Sequence, residues 1–451
     1  MQATSEIKAV PARNAVPARN DKRTIFGWAM YDWAVSAFST TVVTVFLGPY
    51  LTALAKAASD ANGLLYAVGI PIKYDSLFAY CTSVSVLLQA FFLPLLSAIA
   101  DYSKRRKQFL LFFTLIGSIA TIMLIALEDG RHWFGATAYI IANLSFGAAM
   151  VFYNAFLPDI ATRDQHDRVS SLGWGLGYLG GGLLLLLNLI FFTMRESLGL
   201  STSDAVRICL ASAGVWWLGF SMFTFARVRS RYAVQSLKQG ETFLGVGFKE
   251  LAQTFRDIKR LPETLKYLVA YLLYNDGVQT ILVVATIFGS EELKMESASL
   301  IQVILMVQLV AFIGSTLFGK IAEWLGAKPA VVSCLVVWCA VTIYAWYFLS
   351  SALEFWGMAA VVALVMGGTQ ALSRSLFSVM IPEGKEAAFF SFYELSERGT
   401  SWVGPFLFGL INQLFGGLRY GILSLIVLFV SGLLVLLFVD VEKAKAQANS
   451  L

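Results

Sequence analysis

About twelve stretches of this chain, each roughly 20–28 residues long and almost wholly apolar, follow one another between residues 25 and 440. An α-helix rises about 1.5 Å per residue, so about 20 residues cross the hydrocarbon core of a bilayer. The stretches fall at 25–51, 76–100, 108–127, 134–157, 170–194, 205–226, 265–289, 297–322, 329–350, 354–381, 387–414 and 418–440. In lipid every backbone N–H and C=O must be paired internally, so only helices and closed barrels span. A barrel strand alternates polar and apolar residues over about ten positions, and these segments do not alternate. The expectation is an all-α membrane protein with twelve transmembrane helices. Composition agrees. Of 451 residues, 57% are hydrophobic and 14% charged, whereas soluble domains carry about 25% charged residues.

The net charge of +5 is no nucleic-acid signal here, because in such a chain the placement of Lys and Arg sets orientation instead. Cys81, Cys209, Cys334 and Cys339 all lie in apolar stretches, with no CxxC pair or metal-ligand spacing. They read as small buried hydrophobes. His132 and His166 fall in short polar connections, so no His–carboxylate constellation for catalysis or zinc is expected. Catalytic residues, metals and cofactors are all expected to be none. Any proton chemistry would fall to carboxylates. Residues 1–24 repeat Val-Pro-Ala-Arg-Asn at 10–14 and 16–20 and read as a disordered tail. They lack the apolar core and cleavage site of a signal peptide, so the first span is expected to be retained.

Basic residues concentrate in the tail, in Asp-Tyr-Ser-Lys-Arg-Arg-Lys at 101–107, in the long connection at 227–264, and at Lys320, Lys328, Lys385, Lys443 and Lys445. The opposite connections hold only scattered cations, so the first side is expected to be cytoplasmic, with both termini inside. The connection at 227–264 divides the spans six and six. Within it Leu244, Phe248, Leu251, Phe255 and Ile258 recur at helical spacing among charges, the pattern of an amphipathic helix on the membrane face. The expected units are the tail at 1–24, a half at 25–226, the linker at 227–264, a half at 265–440 and a tail at 441–451.

The two halves echo each other. Ser-Ala-Ile-Ala-Asp-Tyr-Ser-Lys-Arg-Arg at 97–106 answers Gly-Lys-Ile-Ala-Glu-Trp-Leu-Gly-Ala-Lys at 319–328. Pro158-Asp159 answers Pro382-Glu383, and Gly180-Gly181 answers Gly404-Pro405. This duplication, with its small-x-x-x-acid loops, resembles the major facilitator superfamily, which implies two pseudo-symmetric six-helix halves. Closer strings are Tyr-Asp-Trp-Ala-Val-Ser-Ala-Phe at 31–38, Val-Phe-Tyr-Asn-Ala-Phe-Leu-Pro-Asp-Ile at 151–160 and Tyr-Asn-Asp-Gly-Val-Gln-Thr at 274–280. With Gly-Gly-Thr-Gln-Ala-Leu-Ser-Arg-Ser-Leu-Phe at 367–377 and Phe-Phe-Ser-Phe-Tyr-Glu-Leu-Ser-Glu-Arg at 389–398 they resemble the autophagy-related vacuolar effluxer family. That family has Asn where this chain has Val35. The resemblance implies a secondary-active transporter that releases amino acids by alternating access. A carrier of a drug, sugar or peptide, a lipid scramblase, and a receptor or scaffold are the alternatives. The expected partners are a small-molecule solute, the lipid bilayer and protons, with no nucleic acid, in a monomer. The expected site is a bacterial inner membrane, with a vacuolar membrane as the alternative.

Intramembrane charges mark function by default, because an aspartate at the helix centre costs about 2.5–3.5 kcal/mol on insertion scales. In the resembling architecture the first, fourth, seventh and tenth helices line a central cavity. The expected substrate and proton site is Asp32, Ser36, Asn154, Asn275, Asp276, Gln279, Gln370, Arg374, Tyr393 and Glu394. The spacing places Asp32 and Ser36, Asn275 and Gln279, and Gln370 and Arg374 one turn apart. Arg374 lies roughly 12 Å in from its span end and Asp276 lies deeper, at about 1.5 Å per residue. Two readings stay open. In one, Asp32, Arg374, Glu394, Glu397 and Arg398 form an ion-pair network that holds or gates the cytoplasmic side. In the other, Arg374 attracts a carboxylate, and Asp276 or Asp32 an ammonium or a proton. Glu397 and Arg398, with the loop charges Asp101, Arg105, Arg106, Glu323 and Lys328, read as gating latches. Trp28, Trp133 and Trp356, near span ends, read as interface anchors.

Overall fold

The structure is a computed structural model that describes residues 19–67, 69–229, 241–398, 403–415 and 417–450. The repeat at 10–20 therefore lies largely outside the described residues, as do 230–240 of the linker and the side chain of Arg398.

The first span is one continuous rod from Lys22 to Ala58. It comprises α1 (Lys22–Ala37), a π-helical segment (Phe38–Phe46) and α2 (Leu47–Ala58). Asp21 caps its start by accepting from the Thr24 N–H at 2.8 Å. Next come β1 (Leu64–Ala67) and β2 (Ile70–Lys73), then α3 (Leu77–Ser103), α4 (Arg106–Met123), α5 (His132–Asn154) and α6 (Leu157–Ile160). α7 (His166–Thr193) and α8 (Thr202–Arg227) complete the first half. The linker helix is α9 (Phe243–Arg260). The second half holds α10 (Pro262–Glu291), α11 (Ser297–Leu325), α12 (Ala327–Tyr347), α13 (Ala352–Ser378), α14 (Glu386–Arg398), α15 (Val403–Phe415), α16 (Leu418–Ser424) and α17 (Ile426–Leu437). α18 (Val441–Asn449) closes the chain.

Among the described residues eleven helices are long and apolar enough to cross a membrane. The stretch expected as one span at 387–414 is described as α14 and α15, with 399–402 outside the description. Both histidines, placed by sequence in polar connections, are buried first residues of helices, His132 of α5 and His166 of α7.

Small residues set how closely the rods approach, as in membrane bundles generally. The glycine run of α7 lies on α1: a Cβ on Gly180 would come within 2.5 Å of the Trp33 carbonyl oxygen, and one on Gly181 within 2.6 Å of Thr40 Oγ1. Beside that contact α1 passes into the π segment, where the Ser36 carbonyl accepts from both Ser39 Oγ (3.0 Å) and Thr40 Oγ1 (2.8 Å). Wider turns of this kind are rare and recur near functional sites.

The antiparallel hairpin of β1 and β2 pairs Leu64 with Lys73 and Ala67 with Ile70. Asp60 anchors it, its Oδ1 accepting from Leu64 N–H (2.8 Å) and Asn62 N–H (2.9 Å). The Leu64 N–H, seconded by that of Asn62, holds the exposed Asp60 carboxyl below the usual aspartate range. The hairpin lies on the face opposite the one that carries Asn20 and α18. On that second face, here the terminal face, Asn20 bonds Thr162 at 2.7 Å and Arg163 bonds Asn449 at 2.6 Å.

Candidate functional site

Arg374, on α13, is a charge enclosed in the interface between the halves, 1% exposed. Its Nε donates to Ser170 Oγ (2.9 Å) and its Nη2 to the Ser170 carbonyl oxygen (2.8 Å). Nη1 reaches Asp32 Oδ2 (3.0 Å) and Asn154 Oδ1 (3.3 Å). The guanidinium also faces the rings of Trp28, Trp174 and Tyr153, with centroids 4.9, 5.4 and 5.6 Å away. A planar cation weakly hydrated in water suits such an aromatic box. All these partners belong to the first half, so Arg374 is a cross-half anchor.

The Asp32 carboxylate has a second donor besides Arg374. Tyr153 Oη donates to its Oδ2 at 2.7 Å, and the Trp28 and Tyr153 rings stack at 4.5 Å. The pair fits because residue 173 is glycine: a Cβ there would stand 2.6 Å from Asp32 Oδ2 and 2.8 Å from Arg374 Nη2. Asn154 Nδ2 donates to Glu394 Oε1 at 2.8 Å, extending the network to α14. A buried ion pair offsets its desolvation only with good geometry and further hydrogen bonds. Here all three Arg374 nitrogens are bonded, and Asp32 Oδ2 accepts from both Arg374 and Tyr153.

One turn before Arg374, Gln370 Nε2 donates to Asn275 Oδ1 at 2.9 Å. Asn275 Nδ2 donates to the Glu397 carbonyl oxygen (3.3 Å), and Tyr271 Oη to Glu397 Oε2 (3.2 Å). The Tyr271 and Tyr393 rings stack at 4.3 Å. This second group joins α10, α13 and α14 within the second half. Asp276, beside Asn275, turns to α15 instead. Its Oδ2 accepts from the Gly404 N–H at 2.7 Å, and its Oδ1 has no hydrogen-bond partner among the described residues. The Gly404 hydrogen bond offsets part of the cost of an aspartate at this depth. Gln279 and Ser36 are half-buried, outside both hydrogen-bonded groups.

The terminal-face latch is built on Arg106. Its Nε meets Asp101 Oδ1 at 2.6 Å and its Nη1 meets Asp159 Oδ2 at 3.3 Å, while Nη2 bonds Glu386. Asp101 also accepts the backbone N–H groups of Ala387 (3.3 Å) and Ala388 (2.8 Å) at the start of α14. Nearby, His166 Nδ1 pairs with Ser378 Oγ at 2.7 Å, Ser170 Oγ donates to the Ala371 carbonyl oxygen at 2.7 Å, and Ser375 bonds Asp167. These ties join the two halves on the terminal face.

The remaining gating candidates stand elsewhere. Arg105 lies over the Phe243 ring of α9 at 5.8 Å. Lys328 donates to the Leu437 (2.9 Å) and Val439 (2.7 Å) carbonyl oxygens at the end of α17, and Glu323 is exposed. At the common offset of 222, Lys328 corresponds to Arg106 and Asp164 to Glu386. Those two instead line a cleft of about 700 Å³ that opens on the terminal face, away from Arg374. The duplicated loops are therefore in different states, the first engaged across the halves and the second not.

Sequence reasoning left Trp28, Ser170 and Trp174 out of the site. Trp28 is fully buried, not at an interface with lipid. Its Nε1 donates to the Tyr153 carbonyl oxygen at 3.0 Å. The available signal was its place one turn before Asp32, on the same helix face. Asn143, on the same helix as Asn154, belongs to a separate α3–α5 contact with Ser85 (2.6 Å) and Gln89 (2.9 Å).

The architecture is that of major facilitator transporters, multi-pass membrane proteins that carry small solutes. The solved proton:xylose symporter XylE matches 93% of this chain and 95% of its own with a TM-score of 0.68 at 13% identity. The human organic anion transporter MFSD10 matches 93% of this chain and 100% of its own with a TM-score of 0.66, also at 13% identity. At such identities the likeness concerns the fold alone. Residues 20–449 match the model of the vacuole effluxer Atg22-like family. The MFS-type transporter YxiO of Bacillus subtilis is 34% identical over 418 residues, spanning 92% of this chain and 94% of its own. Autophagy-related protein 22-1 of Aspergillus niger is 27% identical over 488 residues, spanning 89% and 79%. The chain belongs to the Atg22-like effluxer family within the major facilitator superfamily.

Proposed function

We propose that this transporter exports amino acids by alternating access, with proton coupling through Asp276 or Asp32, and that it performs no chemical step on its solute. One observation carries the reading: charges of both signs are buried between the halves, Arg374 against Asp32 and Glu394. A zwitterion needs both. Its carboxylate competes with Asp32 for Arg374, and its ammonium then takes the released Asp32 or Glu394. Exchanging protein–protein for protein–solute charge pairs lets binding proceed without leaving a buried charge bare. Because Arg374 is also the cross-half anchor, the same exchange weakens closure of the terminal face. The family description, vacuole effluxer, supports transport of a solute out of a membrane-bounded compartment. The basic terminal face is taken as cytoplasmic by the positive-inside rule, in a bacterial inner membrane, and the carrier is taken to work as a monomer.

Asp276→Asn keeps an acceptor for the Gly404 N–H and removes the titratable oxygen. In proteoliposomes with an imposed pH gradient, wild type should drive accumulation of labelled amino acids beyond equilibrium. Asp276→Asn or Asp32→Asn should abolish that accumulation. Gradient-driven accumulation that survives both substitutions would contradict proton coupling through these groups. Sugars, peptides or cationic drugs that out-compete amino acids would contradict the solute class.

A further inference from the structure

The linker helix α9 buries Val246, Thr254, Asp257 and Ile258 against the body of the protein. Gly247 is the closest approach, where a Cβ would meet Leu95 Cδ1 and Ile99 Cγ1, each at 2.7 Å. Those residues lie four and eight positions before the end of α3, so roughly 6–12 Å below it at about 1.5 Å per residue. α9 therefore sits at the depth of the headgroup and acyl boundary, where interfacial helices rest. Its outward side is not that of a solvated linker. Phe248 is 62% exposed and Phe255 51%, the latter even with its edge against Phe392 at 5.2 Å. At about 100° per residue, Phe248, Phe255, Ala252, Lys259, Arg256 and Lys249 share an arc of roughly 120°. All are exposed, and no acidic residue falls within that arc. The nearest acids on the helix are Asp257, buried and bonded to Lys385, and the half-buried Glu250.

α9 also touches both halves beside the latch. Tyr102 Oη donates to Glu241 Oε2 at 2.8 Å just before the helix, and Arg105 faces Phe243. At the other end Lys385 bonds Asp257, one residue before Glu386 of the latch.

We propose that the Phe248–Phe255 ridge, flanked by Lys249, Arg256 and Lys259, docks the headgroups and upper acyl chains of anionic lipid on the terminal face, and that α9 relays this docking to the latch. An aromatic edge beside a basic edge, at interfacial depth, matches an anionic leaflet, to which juxtamembrane Lys and Arg are attracted. The ridge needs no assumption about which leaflet it meets in the cell, nor about the transported solute.

The test is hydrogen exchange of the full-length protein in nanodiscs of phosphatidylcholine and in nanodiscs with added phosphatidylglycerol in both leaflets. Exchange across 243–260 should slow with phosphatidylglycerol, and the Ala387 and Ala388 amides that Asp101 holds should slow with it. The variant Lys249→Gln/Arg256→Gln/Lys259→Gln should fold with unchanged exchange in phosphatidylcholine and lose the phosphatidylglycerol response. Equal exchange in both nanodiscs would overturn the docking, as would a lipid response that survives the triple substitution. Slowing that requires an added soluble protein would assign the ridge to a protein partner instead. Docking without slowing at Ala387 and Ala388 would overturn the relay.

Discussion

Arg374→Leu isolates the value of the central ion pair. The substitution leaves Asp32, 3% exposed, with only the Tyr153 hydroxyl as donor among its described hydrogen bonds. Removing one partner of a buried, hydrogen-bonded pair costs about 3–5 kcal/mol, chiefly because the other charge is left uncompensated. Asp32→Asn, in contrast, leaves Arg374 its bonds to Ser170 and Asn154 and its three aromatic faces. It should cost less, about 1.5–3 kcal/mol, the range for a lost hydrogen bond to a charged group. The double variant buries no charge at this point, so it should recover about 2 kcal/mol of what Arg374→Leu loses. A double-mutant cycle measured by reversible unfolding in mixed micelles reads the coupling directly. Additive losses, with the double variant less stable than Arg374→Leu by the full cost of Asp32→Asn, would refute the assignment of the pair as one unit.

Arg106→Gln leaves Asp101, Asp159 and Glu386 without their shared cation, so the Ala387 and Ala388 amides should exchange about tenfold faster or more. That follows if at least about 1.4 kcal/mol of closure is lost. Gly180→Ala drives a Cβ to 2.5 Å from a backbone oxygen and should cost about 1–3 kcal/mol. Gly357→Ala, whose Cβ meets nothing within 4 Å, should be neutral or stabilising in the same unfolding assay. The Asp60 carboxyl has a lowered pKa, so its ties to Leu64 and Asn62 are present above the ordinary aspartate range, about 3.9. They are lost as pH falls through the lowered value, and carboxyl-labelled Asp60 should show its titration below that range. A midpoint above it would contradict the hairpin anchor.

Apolar length alone located eleven of the expected spans, because few structures accommodate so many apolar residues in series. It did not foresee that the first rod runs on to Ala58 or that it contains a π segment, since neither changes composition. The hairpin at 64–73 escaped for a related reason: its short strands carry no period long enough to register against the flanking helices. Polar residues inside spans gave Asp32, Asn154, Arg374 and Glu394, which do come together. Trp28 was missed because its role rests on a ring face, and Ser170 because a carbonyl oxygen shares its role with a hydroxyl that resembles many others in the spans. Lys328 shows the opposite limit. Its motif position matches that of Arg106, yet the end of α17 takes its donors. Pairing depends on which loop is engaged in this state, and sequence symmetry alone is blind to that.

The most direct measurement is counterflow of labelled amino acids in liposomes that contain the purified protein, with Gly357→Ala and Arg374→Leu alongside wild type. The account predicts exchange by wild type and Gly357→Ala, and none by Arg374→Leu under conditions where that variant remains folded. Undiminished exchange by folded Arg374→Leu would contradict the central claim that solute passes through the charged interface built around Arg374.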